Sequence, residues 1–303
     1  MKKHFKKLTS VMLALSLAVT MLPIYDISST VSAATHTLQN PSKNSSGDTV
    51  WDCVWFGSYP QAEVIPSGEY TALDNNLLQD GDTIISDSLY NQLKSAAGWS
   101  ANGDITISGN KYRRIQKSDA TYTSSSSSHY NWSDSTTYHY FKYEPIKWRV
   151  LNVNGNDAFL LADKGLDDQM YNTSYTSVTW ETATIRSWLN GYSASSNAYR
   201  TDYTGKNFID TAFGSSEQSA IKTTAVINDD NINYGTNGGN YTNDKIFLLS
   251  ESEVYTDSAT SYGFDSDYRE YDKARRSKSS TYSKAMGTYS NTSSDYRGNC
   301  WCG

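Results

Sequence analysis

Residues 146–162 alternate in a way that only a β-sheet can use. Ile146, Trp148 and Val150 alternate with Lys147, Arg149 and Leu151, a period of two that sends one set to a buried face and the other to solvent. Asn154-Gly155-Asn156 then gives a tight-turn signal, and Ala158-Phe-Leu-Leu-Ala162 supplies the returning strand. A hairpin in mid-chain makes a sheet the scaffold onto which the rest must pack.

Around it the readable elements are short. Residues 50–56 read as a strand with Val50, Val54 and Phe56 on one face and Trp51, Cys53 and Trp55 on the other, and Gly57-Ser-Tyr-Pro60 turns the chain. Ser86 caps a helix carrying Leu89 and Leu93, with Gly98 as its stop. Residues 118–138, with five consecutive serines, have no period and read as a surface loop; a strand resumes at 138–143. Thr179 opens the clearest helix: Glu181 suits its first turn, Ile185, Trp188 and Leu189 share a face, and Gly191 ends it. Ser215-x-x-Gln218 and Ser250-x-x-Glu253 read as capping boxes. A polar loop at 229–244 leads into a buried strand at 245–249, and a last helix covers 277–286. The expected fold class is α+β, a single domain of short antiparallel strands, short helices and long polar loops.

The amino-terminal 33 residues have the three parts of an export signal in order. Lys2, Lys3, Lys6 and Lys7 are followed by an apolar stretch over 8–24 and by small residues at 31–34 for cleavage. No other segment approaches a membrane span. Residues 34–49 read as a polar linker and 50–303 as the domain. Removing the signal takes away a net +3 and leaves −9, against −6 for the whole chain. So acidic a chain, without a dense basic patch, is poorly suited to nucleic acid. The one cationic run, Lys273 to Lys278, sits beside Asp265, Asp267, Glu270 and Asp272 and reads as a solvated helical face.

Cys53, Cys300 and Cys302 are odd in number. Export permits a bridge from Cys53 to either carboxyl-terminal cysteine, and unpaired thiols are the simpler reading. His36, His129 and His139 stand at no zinc-like spacing from them, and the two central histidines, His129 and His139, fall in the serine-rich loop.

Trp55-Phe-Gly-Ser-Tyr-Pro-Gln61, Pro145-Ile-Lys-Trp-Arg-Val-Leu151, Thr179-Trp-Glu-Thr-Ala-Thr-Ile-Arg-Ser-Trp-Leu-Asn190, Ser216-Glu-Gln218 and Gly238-Gly-Asn-Tyr-Thr-Asn-Asp-Lys-Ile-Phe-Leu-Leu-Ser250 occur in that order. The ordered set, over about residues 50–303, resembles the DUF6273 family of exported domains of unknown function from Gram-positive bacteria. The resemblance implies an extracellular or wall-attached module without established catalytic residues. It also implies an architecture similar to the C-type-lectin-like fold of formylglycine-generating enzymes. Members of the family close with a Trp-Trp-Leu-Arg-Ser-Pro-Gly stretch and further strands, whereas this sequence reads Asn299-Cys-Trp-Cys-Gly303. On that resemblance the ending is either truncated or diverged, and with a lectin-like fold that lacks its last strands an incomplete or marginally stable domain is expected.

Chemistry-bearing patterns are weak. Gly238-Gly239 lacks the Gly-Lys-Ser/Thr ending of a phosphate loop. Asp229, Asn231 and Asn233 have calcium-loop spacing, but Tyr234 holds the glycine position and Asn240 the twelfth. A loose calcium site at Asp229, Asp230, Asn231 and Asn233 competes with a plain Asn/Asp turn network; no cofactor is otherwise called for. Glu181, Asp163, Asp167 and Asp168 are the candidate carboxylates for glycoside hydrolysis, and no Gly-x-Ser-x-Gly elbow is present. Copper chemistry at Cys300-x-Cys302 is a poor match. Arg149 and Arg186 are expected to pair with Glu181 or a nearby Asp, holding hairpin to helix, and Trp148, Trp180 and Trp188 to be core. The favoured function is an exported, non-catalytic binding module with a glycan as ligand, because Tyr and Trp stack on sugar faces while Asn, Asp and Ser bind hydroxyls. The expected site is Asn231, Tyr234, Asn237 and Tyr241. The alternatives are an oxidase or hydrolase of the formylglycine-generating kind and an adhesion or wall module that recognises a surface protein.

Overall fold

The computed structural model describes residues 14–18, 37–68, 82–121, 135–231, 234–255, 260–264 and 272–288. The strands are β1 (Ala14–Ala18), β2 (Ser42–Lys43), β3 (Thr49–Val50), β4 (Cys53–Pro66), β5 (Thr83–Ile85), β6 (Asp104–Ile107), β7 (Asn110–Ile115), β8 (His139–Asn154), β9 (Asp157–Ala162), β10 (Lys164–Gly165), β11 (Thr224–Val226), β12 (Thr242–Asp244), β13 (Ile246–Phe247) and β14 (Lys278–Ser279). The helices are α1 (Asp87–Ser95), α2 (Thr184–Asn190), α3 (Phe208–Ala212), α4 (Ser215–Ala220), α5 (Glu251–Tyr255) and α6 (Thr281–Met286). The class is mixed α+β. One sheet runs β13-β1-β9-β8-β4-β5, and β7, carrying β6, pairs with the first part of β8.

The mid-chain hairpin is there as β8 and β9, closed at Gly155 with φ +61°. Two strands are far longer than the sequence pattern suggests. The strands expected at 138–143 and 146–151 are one, because β8 runs through Pro145, which pairs with Ser58 at a break in register. A proline without a donor is tolerated where the ladder is interrupted. The partner β4 likewise runs through the expected turn at 57–60. Gly57 is a bulge residue: its φ is +70°, and a Cβ there would lie 2.5 Å from the Phe213 ring. A second register shift, between Val150 and Asn152, turns Leu151 inward, where it is fully buried despite its polar-face phase.

Other ends depart in detail. A 3-10 turn over Trp180–Thr182 follows Thr179, and α2 starts only at Thr184, ending at left-handed Gly191. Gly214, not Ser215, precedes α4, its N–H donating to Glu217 Oε2 at 2.8 Å. Ser250 and Glu253 do form a reciprocal cap, with N to Oε2 at 2.8 Å and N to Oγ at 3.3 Å. Ser86 caps α1, which stops at Ser95, before Gly98. The last helix is shorter than expected, capped by Ser280. Residues 37–49, read as linker, are tied down: β2 pairs β3, Leu38 packs on the core, and Asn40 Oδ1 accepts from Val153 N at 2.6 Å.

Tyr140 and Phe141, neighbours in β8, point to opposite faces and so enter different cores. Phe141 joins the main one with Trp148, Trp180, Trp188, Leu189 and Phe208. Tyr140 packs with Val64, Tyr90, Leu93 and Tyr112. All three expected core tryptophans are buried, and Trp148 Nε1 donates to Phe56 O at 2.7 Å.

β1 pairs antiparallel with both β9 and β13, and it lies inside the stretch read as the export signal. β13 has a second hold. Asn190 at the end of α2 accepts from Lys245 N and Ile246 N at 3.1 and 3.0 Å and donates to Ile246 O at 2.8 Å.

Candidate functional site

A cavity of about 430 Å³ opens between the end of β7, the 100–103 turn, α2, the segment before α3, and α6. Tyr59 and Tyr282 form its floor, edge to face at 5.8 Å, and both are buried. Tyr59 owes its place to the Gly57 bulge just before it. Its hydroxyl donates to Asp167 Oδ2, and Asp167 Oδ1 also accepts from Asp168 N at 2.7 Å and Gln169 Nε2 at 3.3 Å.

Burial pushes the Asp167 carboxyl up, against the pull of those three donors. Burial, and then the charge of Asp167, push Asp168 to about 8. Asp168 Oδ1 is buried with no hydrogen-bond partner among the described residues. The adjacent pair therefore keeps a proton at neutral pH, and Asp168 is where a charge has least support.

Arg113 on β7 is buried on one wall and donates from Nε and Nη2 to Asp104 Oδ1 and Oδ2 at 2.7 and 2.9 Å. Tyr143 closes the same group, its hydroxyl donating to Asp104 Oδ1 at 2.9 Å. Across the cavity stand Trp188 from α2 and Tyr203, Lys206 and Asn207 from the segment that enters α3. Asn207 caps that helix, accepting from Asp210 N and donating to Tyr203 O, both at 2.8 Å. Aromatic faces and fixed amide, hydroxyl and charged groups thus converge on one space of sugar size.

The loop expected to bind lies elsewhere. Asn231 turns it, with its O accepting from Gly235 N at 2.7 Å and its Oδ1 from Tyr234 N at 3.0 Å, while its amide donates to Glu251. Tyr234 stands at the tip, 82% exposed, and Tyr241 is 64% exposed with its hydroxyl 3.3 Å from Asp229 Oδ1. Asn237 Oδ1 accepts from Gly239 N at 2.8 Å, and Asp230 Oδ1 from Gly238 N at 2.9 Å. Gly238 is obligatory, since a Cβ would meet Asn228 O at 2.3 Å. Asp229 and Asp230 are thus occupied in a turn network, and Asn233 lies outside the described residues. Among the described residues no three His, Cys, Asp or Glu side chains group as metal ligands.

Other expectations sort as follows. Asp163 pairs with Arg149 (2.7 Å), and Glu181 accepts from Asn240 (2.9 Å). Arg149 pairs with a nearby Asp as expected but reaches the carbonyls of Ala274 and Arg276 instead of α2, whereas Arg186 binds Asp244 at 2.9 Å rather than the Glu181 carboxylate. The run at 273–278 is no solvated helical face: a 3-10 turn over Lys273–Arg275 leads into β14, and only Lys273 is fully exposed. His139 is not in the serine-rich loop but opens β8, buried with Nδ1 2.8 Å from Glu63 Oε1. His129, Cys300 and Cys302 lie outside the described residues; Cys53 is half-buried, and burial pushes its thiol up.

Residues 155–297 match the family model described as a domain of unknown function, DUF6273. This stretch is similar to the DUF6273 domain. The matched stretch is narrower than the resemblance suggested, leaving out the motifs at 55–61 and 145–151. Asp167, Asp168, Trp188, Asn207 and Tyr282 lie inside the DUF6273 stretch, while Tyr59 and Arg113 reach the pocket from outside it. No curated protein and no solved structure matches the chain. No helix among the described residues is long and apolar enough to cross a membrane.

Proposed function

We propose that this is an exported, non-catalytic binding module whose ligand is a glycan held in the Asp167 pocket. One observation carries the reading: a cavity of about 430 Å³ whose walls combine Trp188, Tyr203 and Tyr282 with the polar groups of Asp167, Gln169 and Asn207. Aromatic rings supply faces for the apolar side of a sugar, and pre-placed amides and carboxylates supply partners for its hydroxyls. The amino-terminal three-part segment supports export. The ordered motifs support a C-type-lectin-like architecture for the α+β fold.

A second surface for the same ligand class is the loop with Asn231, Tyr234, Asn237 and Tyr241. Its support is that two tyrosines are held outward by a hydrogen-bonded scaffold. Titration of the full chain with a panel of oligosaccharides separates the two. Gln169→Ala and Tyr203→Phe are expected to weaken binding with the thermal transition retained, and Tyr234→Ala with Tyr241→Ala to leave it unchanged. The opposite pattern moves the site to the loop, and absence of binding to any saccharide ends the glycan reading.

A further inference from the structure

We infer that the ligand of this pocket carries a carboxylate, an acidic sugar being the class, recognised by Arg114 and Lys206; the inference rests on the glycan reading of the same site. The charged groups of the cavity divide into those already engaged and those held ready. Arg113 is clamped by Asp104. Asp119 accepts from Gln116 N at 2.8 Å, and Asp202 closes a turn by accepting from Thr204 N and Oγ1 at 3.0 and 2.9 Å. Asp167 is taken by Tyr59 and its neighbours.

Arg114 and Lys206 line the same cavity and are engaged by no carboxylate among the described residues. The Arg114 guanidinium lies over two rings, 4.7 Å from the centroid of Trp99 and 4.3 Å from that of Tyr138. Contact with two rings restrains the guanidinium, while no hydrogen bond among the described residues occupies its N–H groups, and a guanidinium so held can bind a carboxylate through two parallel hydrogen bonds. Because the group is restrained in advance, little side-chain freedom is lost on binding. Lys206 is exposed and adds a second, mobile charge. A neutral sugar offers these cations only hydroxyl oxygens; a uronic acid offers a carboxylate, which both bind more strongly. The acidic whole chain, at −6, makes a general attraction for polyanions an inadequate substitute for this local pair.

The test titrates the full chain with trigalacturonate and with the neutral galactotriose, read by calorimetry. The acidic trisaccharide is expected to bind at least about tenfold tighter, with the preference shrinking as salt rises. Arg114→Gln and Lys206→Gln should each cost the acidic ligand about tenfold, the worth of one hydrogen bond to a charged group, and so narrow its advantage over the neutral one. Should Arg114→Gln disturb the fold by freeing Trp99, the exposed Lys206→Gln carries the test alone. Equal affinity for the two sugars, or acidic binding indifferent to both variants, overturns the carboxylate inference while leaving a glycan pocket standing. Failure of every saccharide to bind overturns both.

Discussion

Asp244, the last residue of β12, and Asp167, two residues past β10, are both buried, 0% and 3% exposed, yet their surroundings differ in kind. Asp244 receives Arg186 Nε at 2.9 and 3.0 Å, Trp180 Nε1 at 2.9 Å, Tyr192 hydroxyl at 3.0 Å and Thr242 hydroxyl at 2.7 Å. A counter-charge and a full set of donors make that carboxylate a joint between α2 and β12. Asp167 has no cation bonded to it among the described residues, a raised pKa and a second raised carboxyl beside it, and it faces a cavity. Closed polar clusters specify a fold; open ones with perturbed titration are where binding chemistry is found.

Breaking the closed cluster should have the largest effect. Asp244→Ala strands Arg186 and three neutral donors and is expected to destabilise by about 3–5 kcal/mol in denaturant titration. A cost below about 1 kcal/mol would mean that the cluster is not a joint.

Asp168→Asn should act in the other direction. With its carboxyl at about 8 in the folded chain and near the ordinary ~4 when unfolded, the unfolded state releases the proton first. Stability is therefore fullest below the unfolded value, falls by up to about 1.4 kcal/mol per pH unit through the interval, and levels off above the folded value. The amide removes this slope, so its gain in stability is largest at pH 8 and above. Melts of both proteins from pH 4 to 9 decide it: parallel curves would show that Asp168 titrates as an ordinary carboxylate.

Tyr59→Phe sharpens the contrast at smaller scale. It removes one donor from Asp167 and should cost about 1–2 kcal/mol while Asp167 is ionised, with less of the penalty once acid protonates Asp167, whose carboxyl burial pushes up.

What was legible in sequence follows from distance along the chain. The β8–β9 hairpin, the burial of Trp148 and the Ser250–Glu253 cap are written within a few residues, where periodicity and capping act. Gly57 was misread because glycine serves turns and bulges alike, and only Phe213, far along the chain, decides between them. Ser215 lost its cap to Gly214 because the working acceptor is Glu217, one residue before Gln218. Asp167 and Asp168 stood out only as carboxylates. Their pocket draws Tyr59, Arg114, Trp188, Lys206 and Tyr282 from separate elements, and no local spacing announces such a meeting. The Asp229–Asp244 loop was conspicuous for the opposite reason, its polar residues being contiguous.

That loop gives the smallest expected effect and the cleanest check on the division between joint and site. Tyr234 and Tyr241 project from a scaffold that is bonded through Asn231, Asp230, Asn237 and the backbone of Gly238, to which the rings add one long hydrogen bond, Tyr241 to Asp229 Oδ1 at 3.3 Å. Replacing both by Ala should change stability by no more than about 0.5 kcal/mol, the usual range for surface positions. A larger loss would make the tyrosines part of the fold, and their exposure would then cease to count toward binding. An unchanged melt leaves two large rings in water for no structural return, so a loss of saccharide binding in that variant would point to the loop, and retained binding to the Asp167 pocket.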